Sequence, residues 1–384
     1  MGQYTNLRIA WLMPGSGFST PQGGRYWKTI LREFLRVFPR TIIISMGVVH
    51  PYYRETLNVY SVGKLRNVSI LNRKESYSIG FTLITPKLLF YLLTHDFDMV
   101  ITLEYSMATL YAAIARCFKG IHVILLKEGR YPIEMRLKRW YKLFVNSKID
   151  GFLANTIIAR DYLQSHLKIP PEKIICEPYL VPPEPVTPSP SVPLPHSPRP
   201  VFLFVGQLIP RKGVMYLLEA ADIVRLQRKH FSIWIVGDGP QRQELEQRIH
   251  NLDLQDVVWL FGNMPYEQVG IFYNAGDVFV LPTLSDYRSV AVMEAAKYGK
   301  PLLDSKYDGG ACEFVCHGEN GFIFDPRDPD ELARLMLKLI NTPELVKRFS
   351  QKSKEIMESY TVANAVSAFE QGIEHVLKKG QQRR

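Results

Sequence analysis

Short apolar runs alternating with helix-patterned segments recur along the whole sequence, on both sides of one proline-rich stretch. Such alternation specifies parallel sheets wound with helices, because a parallel strand is buried on both faces and needs a crossover to reach its neighbour. Before the prolines, LRIAWLM, TIIISMG, MVITLE, HVILLK and DGFLAN read as strands; after them, VFLFVG, SIWIVGDG, VVWLFG, DVFVLP, KPLLDS and GFIFD do the same. Residues 178–200, which include PPEPVTPSPSVPLPHSPRP, can neither continue a helix nor join a central strand, and read as a semi-rigid linker. The chain is therefore expected to divide into a domain over 1–177, the linker, and a second domain over 201–361. Within the second domain 328–357 reads as two helices, and the tail 362–384 carries a terminal helix able to cross back to the first domain. With 384 residues and 46% hydrophobic content, both domains can hold a sizeable core. The fold class expected is α/β, two facing doubly wound domains. Ligands would sit at the carboxyl ends of the strands, in the cleft between the domains.

Charge is unevenly spread. Residues 1–184 hold 24 Lys and Arg against 13 Asp and Glu, whereas 201–384 hold 22 against 24, so the net +10 belongs to the first half. A basic surface there calls for an anionic partner. Nucleic acid is disfavoured, since helical arms, zinc knuckles and aromatic-basic strings are absent from the sequence. An anionic membrane face or a phosphorylated lipid acceptor fits better. MRLKRWYKLFVNSK, residues 135–148, interleaves Arg136, Lys138, Arg139 and Lys142 with Trp140, Tyr141, Leu143 and Phe144. It reads either as a membrane-contacting helix or as an amphipathic surface helix with solvated lysines. The N-terminus lacks the pattern of a signal peptide, and no run approaches the roughly 20 apolar residues that span a bilayer. The expectation is a cytoplasmic protein, with peripheral contact at the inner membrane face as an option. Four scattered cysteines, Cys117, Cys176, Cys312 and Cys316, do not make a disulfide framework. Cys312 and Cys316 with His317 lack the second pair of a four-ligand zinc site, so no metal is expected.

The stretch LPTLSDYRSVAVMEAAKYGKPLL carries the most chemistry. It places Asp286 and Glu294, with seven residues between them, across a loop-to-helix junction. A strand ends at Pro282 and a helix is expected to begin at Ser289, a good N-cap residue. The backbone N–H groups from Ser289 through Val290 to Ala291 would then lack intrahelical partners, a setting that suits a phosphate. Carboxylates on either side of such an anion nest can accept hydrogen bonds from sugar hydroxyls flanking a diphosphate. The alternative is an ordinary buried helix capped by Ser289, with an acid on each side by accident.

Further loop signals lie at strand ends in the same half. In VFLFVGQLIPRKGVMYLL, Arg211 and Lys212 precede a helix start, where two cations can neutralise a diphosphate leaving group. In IWIVGDGPQRQEL, Gly237 and Gly239 allow close backbone approach to a ligand, and Asp238 either shares in that or holds the turn. Gly309 and Gly310 precede a helix carrying Glu313, and Asn320-Gly321 makes a turn.

Taken in order, VGQLIPRKG, IVGDGP, LFGNMPYEQVGIFYNAGDVFVLPT, SDYRSVAVMEAAKYGKPLL and GGACEFVCHGENGFIF make residues 201–330 resemble the donor-binding domain of family 4 glycosyltransferases. That family has the GT-B architecture of two facing Rossmann-like domains. The first half resembles it more loosely, through the loop GSGFSTPQGGRYW and the strand order. The resemblance implies that Glu294 accepts hydrogen bonds from the ribose of a nucleotide, that Asp286 stands where a glutamate contacts the transferred sugar, and that Lys212 binds the diphosphate. An arginine five positions before that lysine is Gln207 here, so Arg211 or Arg288 would supply the missing charge. Asn263 and Met264 would lie beside the base, and Gly23 and Gly24 would approach the diphosphate from the first domain. Glu128 replaces a common histidine, and Glu104 stands at another polar position. The partners implied are a nucleotide-diphosphate sugar as donor substrate and a sugar or lipid-linked acceptor, with no cofactor required. The reaction implied is retaining transfer, the proton of the acceptor passing to a leaving phosphate oxygen and Glu128 serving as base or orienting the sugar. Closure of the cleft would exclude water.

Two other classes compete. A nicotinamide-dependent dehydrogenase would show G-x-G-x-x-G at a strand-to-helix turn and an acid about 20 residues later. GSGFST departs from that pattern and the acid is missing. A non-catalytic sugar-nucleotide-binding or scaffolding protein is the other, suggested by Gln207, Asp286 and Glu128 together.

Overall fold

The computed structural model describes residues 6–13, 25–57, 59–62, 65–71, 79–128, 137–179, 181–182, 193–227, 230–286 and 288–382. The chain separates into two compact units, one of Met1–Val181 with Tyr360–Arg384 and one of Pro182–Ser359.

In the first unit the strands are β1 (Ile9–Met13), β2 (Thr41–Ser45), β3 (Val59–Ser61), β4 (Leu65–Leu71), β5 (Ile79–Ile84), β6 (Met99–Leu103), β7 (His122–Lys127), β8 (Gly151–Ala154) and β9 (Ile174–Cys176). Seven of them form a sheet in the order β3-β2-β1-β6-β7-β8-β9, and β4 pairs with β5 as a separate antiparallel ribbon. Every pairing in the larger sheet is parallel. Side chains alternate across a strand, so β1 feeds two cores. Ile9, Trp11 and Met13 enter one of them with Ile30, Leu31 and Phe34 of the helix Arg25–Val37; Ala10 and Leu12 enter the other with Ala108, Ala112 and Ala115 of the helix Met107–Lys119. The first core is completed from the far end of the sequence. The helix Val362–Gln382 supplies Phe369, Ile373 and Val376, with the Phe369 ring 4.8 Å from Trp11 and 5.7 Å from Phe34. The sequence pattern named five of these strands. β3 and β9 are only three residues long and the ribbon is polar-interrupted, so none of them presents a continuous apolar run.

The second unit contains β10 (Val201–Val205), β11 (Ser232–Val236), β12 (Val258–Gly262), β13 (Val278–Leu281), β14 (Leu302–Ser305) and β15 (Gly321–Phe324), all parallel in the order β12-β11-β10-β13-β14-β15. These are the six runs read after the linker. The strands are nearly all buried, as both faces carry helices. The order reverses between β10 and β13, neighbours in the sheet whose chains leave toward opposite faces. A doubly wound sheet opens a crevice at that point, at the carboxyl ends of the strands.

Among the described residues, no helix is long and apolar enough to cross a membrane. The helix Leu137–Lys148 departs from its expected solvated basic face in one respect. Lys142 is only 5% exposed, and its ammonium donates to the Tyr162 hydroxyl at 2.6 Å and lies over the Tyr105 ring. Leu143 and Phe144 do face solvent, at 52% and 41% exposure.

Candidate functional site

The loops that follow β10 and β13 meet at the reversal point of the second sheet. After β10 the chain turns through a short 3-10 segment, Pro210–Lys212, that ends at Gly213 in the left-handed region (φ 67°). A side chain there would put its Cβ 2.0 Å from the Pro282 carbonyl, so glycine is what lets this loop lie against the end of β13. The loop is pinned by the Leu284 N–H and the Thr283 hydroxyl, which both donate to the Arg211 carbonyl, at 2.8 and 3.0 Å. The result brings three predicted residues together. Lys212 Nζ lies 2.5 Å from Asp286 Oδ2, Arg211 Nη1 lies 3.0 Å from Oδ1, and all three side chains are at most 18% exposed. Arg211 also donates to the Ser285 carbonyl at 2.7 Å.

The helix after this loop, Val290–Lys297, begins where the sequence placed it, with Ser289 at its N-cap. Its chemistry differs from expectation. The Ser289 hydroxyl makes no capping bond; instead the Ser289 N–H donates to the carboxylate of Asp308 at 3.0 Å, and that carboxylate also accepts from Gly310 N–H at 3.2 Å. An acid from the loop after β14 thus takes the place beside the helix start that was assigned to a phosphate alone. Burial pushes the Asp308 carboxyl up to about 6, with the charge of Asp286 adding to the effect against the two amides. Asp304, fully buried on β14, is held well above the usual carboxylate range by burial first and by Asp308 next, and when protonated it donates to Asp308. Three acids therefore line up behind the two cations.

Glu294 sits one turn into the helix and is 7% exposed. Its carboxylate accepts hydrogen bonds from two tyrosine hydroxyls, Tyr266 at 2.7 Å and Tyr273 at 2.9 Å, both on the helix Tyr266–Ala275. Tyr273 in turn stacks on Tyr298 at 5.3 Å. Two neutral donors satisfy this buried carboxylate and fix its direction. Sequence reading missed both tyrosines. Their spacing in YEQVGIFYN, seven residues or two helical turns, puts them on one helix face and was the available signal.

Comparison with known proteins shows what this half is similar to. Residues 190–356 match the family model described as Glycosyl transferases group 1. This stretch is thus similar to the group 1 glycosyl transferases. The curated relatives include an uncharacterised glycosyltransferase of Haemophilus influenzae, 28% identical over 43% of this chain and 46% of its own length. They also include the alpha-D-kanosaminyltransferase of Streptomyces kanamyceticus, 26% identical over 56% and 58%. The chain thus spans about half the length of the curated relatives it matches. The fold likeness extends further. The crystal structure of Anabaena Alr3699/HepE in complex with UDP superimposes with a TM-score of 0.74 at 17% identity, covering 96% of this chain and 100% of that one. The architecture is GT-B, built from two Rossmann-like units.

The remaining predicted residues fall in several places. Within the second unit, Gln207 is exposed on the loop after β10 and makes none of the cation contacts. Arg288 is 8% exposed, with Nε 3.1 Å from Glu313 and its guanidinium 4.8 Å from the Phe314 ring, so in this structure its charge is directed to Glu313. Val290 opens the helix, and Asn263 and Met264 follow β12 with the Asn263 side chain exposed. Gly237 (φ 139°) and Gly239 allow close approach of another loop: a Cβ at Gly237 would fall 1.9 Å from the Gly206 carbonyl, and one at Gly239 would fall 2.5 Å from that of Leu208. The GDG turn braces the loop that carries the cations, while Asp238 closes its own turn through Gly239 N–H at 2.7 Å. Gly23 and Gly24 lie outside the described residues. In the first unit, Glu104 follows β6 with φ 55° and receives Lys127 Nζ at 2.9 and 2.7 Å and the Glu128 N–H at 2.8 Å. Glu128 is thus held by its backbone at the end of β7. Cys312 and Cys316 are exposed and form no disulfide with a described residue.

Proposed function

We propose that the protein is a retaining glycosyltransferase that moves a sugar from a nucleoside-diphosphate sugar to a hydroxyl acceptor. The observation that carries this reading is the placement of Lys212 and Arg211, side by side at the reversal point of a doubly wound sheet, in the same domain as a buried carboxylate fixed by two tyrosines. Two cations in a poorly hydrated crevice stabilise the charge that appears on a departing diphosphate, and they do so without reorganising as the bond breaks. Glu294 offers its carboxylate to vicinal hydroxyls of a ribose. The UDP complex of the structurally similar Anabaena protein and the names of the relatives support a nucleotide-sugar donor.

In this mechanism the glycosidic bond to the diphosphate breaks as the acceptor hydroxyl arrives on the same face, and the acceptor proton passes to the leaving phosphate oxygen. Glu128 serves as a base or orients the sugar. Lys212 and Arg211 supply the positive charge that the leaving group needs, so a metal ion is not required. The acceptor is proposed to be anionic, lipid-linked or polysaccharide. Support comes from the excess of 24 basic over 13 acidic residues in 1–184, and from the exposed Leu143 and Phe144 that suit peripheral contact with an anionic membrane. The test is a panel of nucleotide sugars with mass spectrometry of the products and NMR of the new anomeric centre. Transfer with retained configuration is expected, together with slow donor hydrolysis when acceptor is left out. Absence of both with every donor that binds would identify a non-catalytic sugar-nucleotide-binding protein.

A further inference from the structure

We propose that Asp286 is the internal counter-anion of the diphosphate cradle, paired with Lys212 and Arg211 until the phosphoryl groups of a nucleoside diphosphate displace it. The inference rests on the donor-site reading above and assigns a regulatory role within it, where the resemblance implied a contact to the transferred sugar. Both carboxylate oxygens are engaged, Oδ2 by Lys212 at 2.5 Å and Oδ1 by Arg211 at 3.0 Å, and the Thr283 hydroxyl lies 3.5 Å from Oδ2. The Asp286 side chain is 13% exposed, so this is a largely desolvated pair and not a solvent-screened one.

The surroundings make the pairing reversible. Asp286 stands on a loop whose backbone is held by the Asp286 N–H to the Tyr307 carbonyl and by the Gly309 N–H to the Asp286 carbonyl, so the side chain can rotate while the loop stays fixed. Arg211 and Lys212 are fastened from the other side, through the bonds that Thr283 and Leu284 make to the Arg211 carbonyl. Asp308 is paired along the backbone with Asp286 and, once ionised, repels its carboxylate. A diphosphate brings more negative charge than one carboxylate, so it outcompetes Asp286 for the two cations, and Asp286 in turn competes with the spent nucleoside diphosphate and speeds its release.

The experiment is calorimetry on the full chain with uridine, guanosine and adenosine diphosphates, taking forward whichever binds the wild type. Asp286→Asn is expected to bind that diphosphate about tenfold more tightly, since it keeps the shape and removes the competing charge. Asp286→Glu should stay near wild type, and the gain should vanish when Lys212→Ala is added to Asp286→Asn. Asp286→Ser provides a second neutral variant should the asparagine chain fail to fold. If neutral variants bind the diphosphate no more tightly than wild type but lose affinity for the intact nucleotide sugar, Asp286 is a sugar contact and this proposal is overturned while the donor site stands. A wild-type chain that binds none of the three diphosphates removes the donor-site reading and this proposal with it.

Discussion

Glu294 and Asp286 show how far a pair of acids can be understood from its neighbours. Glu294 is held by Tyr266 and Tyr273, so its worth to a nucleotide is direction as much as charge. Glu294→Ala should weaken nucleoside diphosphate binding about a hundredfold by calorimetry, whereas Tyr273→Phe, which removes one of the two donors, should cost about tenfold or less. Equal affinities in all three chains would remove the ribose assignment. A second expectation concerns Asp304 and Asp308. An unfolded chain releases these protons near pH 3.8, whereas the folded chain releases that of Asp308 only near 6 and holds that of Asp304 well above the usual carboxylate range. The folded state therefore keeps more protons across that window, and stability declines as pH rises through it. Asp304→Asn mimics the protonated acid, still donating to Asp308. Its melting temperature should match wild type near pH 4 and exceed it by about 3 °C near pH 8. A difference that does not change with pH would contradict the assignment. The pair Asp286 and Glu294 stood out in the sequence by its spacing, which by itself left an ordinary capped helix equally open. Asp308 and the tyrosines did not stand out, because their roles depend on which loops the sheet order brings together.

At the level of elements, the six strands of the second unit were readable because most carry a short apolar run ended by a turn residue, as in VFLFVG and SIWIVGDG. β3 and β9 are too short to carry a pattern, and their pairing comes from neighbours already in place. The GDG turn is the instructive case. Its glycines read as room for a ligand, and in the structure they also make room for another loop. Gly237→Ala should therefore destabilise the second unit by about 3 kcal/mol or more, measured by denaturant unfolding, because it sets a Cβ against the Gly206 carbonyl at a backbone conformation that alanine avoids. A loss below about 0.5 kcal/mol would mean the loops separate freely.

For the molecule as a whole, contiguity in sequence and contiguity in space part company at the C-terminus. The helix Val362–Gln382 follows the second unit along the chain but completes the core of the first, where Phe369 meets Trp11 and Phe34. Removing residues 360–384 should thus leave the second unit folded and unfold the first at lower temperature. Hydrogen exchange resolved by segment would then show lost protection in β1 and β6 with β10 and β13 unchanged, and a uniform loss in both units would contradict this division. The most direct test of the whole reading is a crystal structure with a nucleotide sugar bound. We expect the diphosphate within hydrogen-bonding distance of Lys212 and Arg211 and the ribose hydroxyls on Glu294. A donor bound elsewhere, with Lys212 and Arg211 still on Asp286, would contradict it.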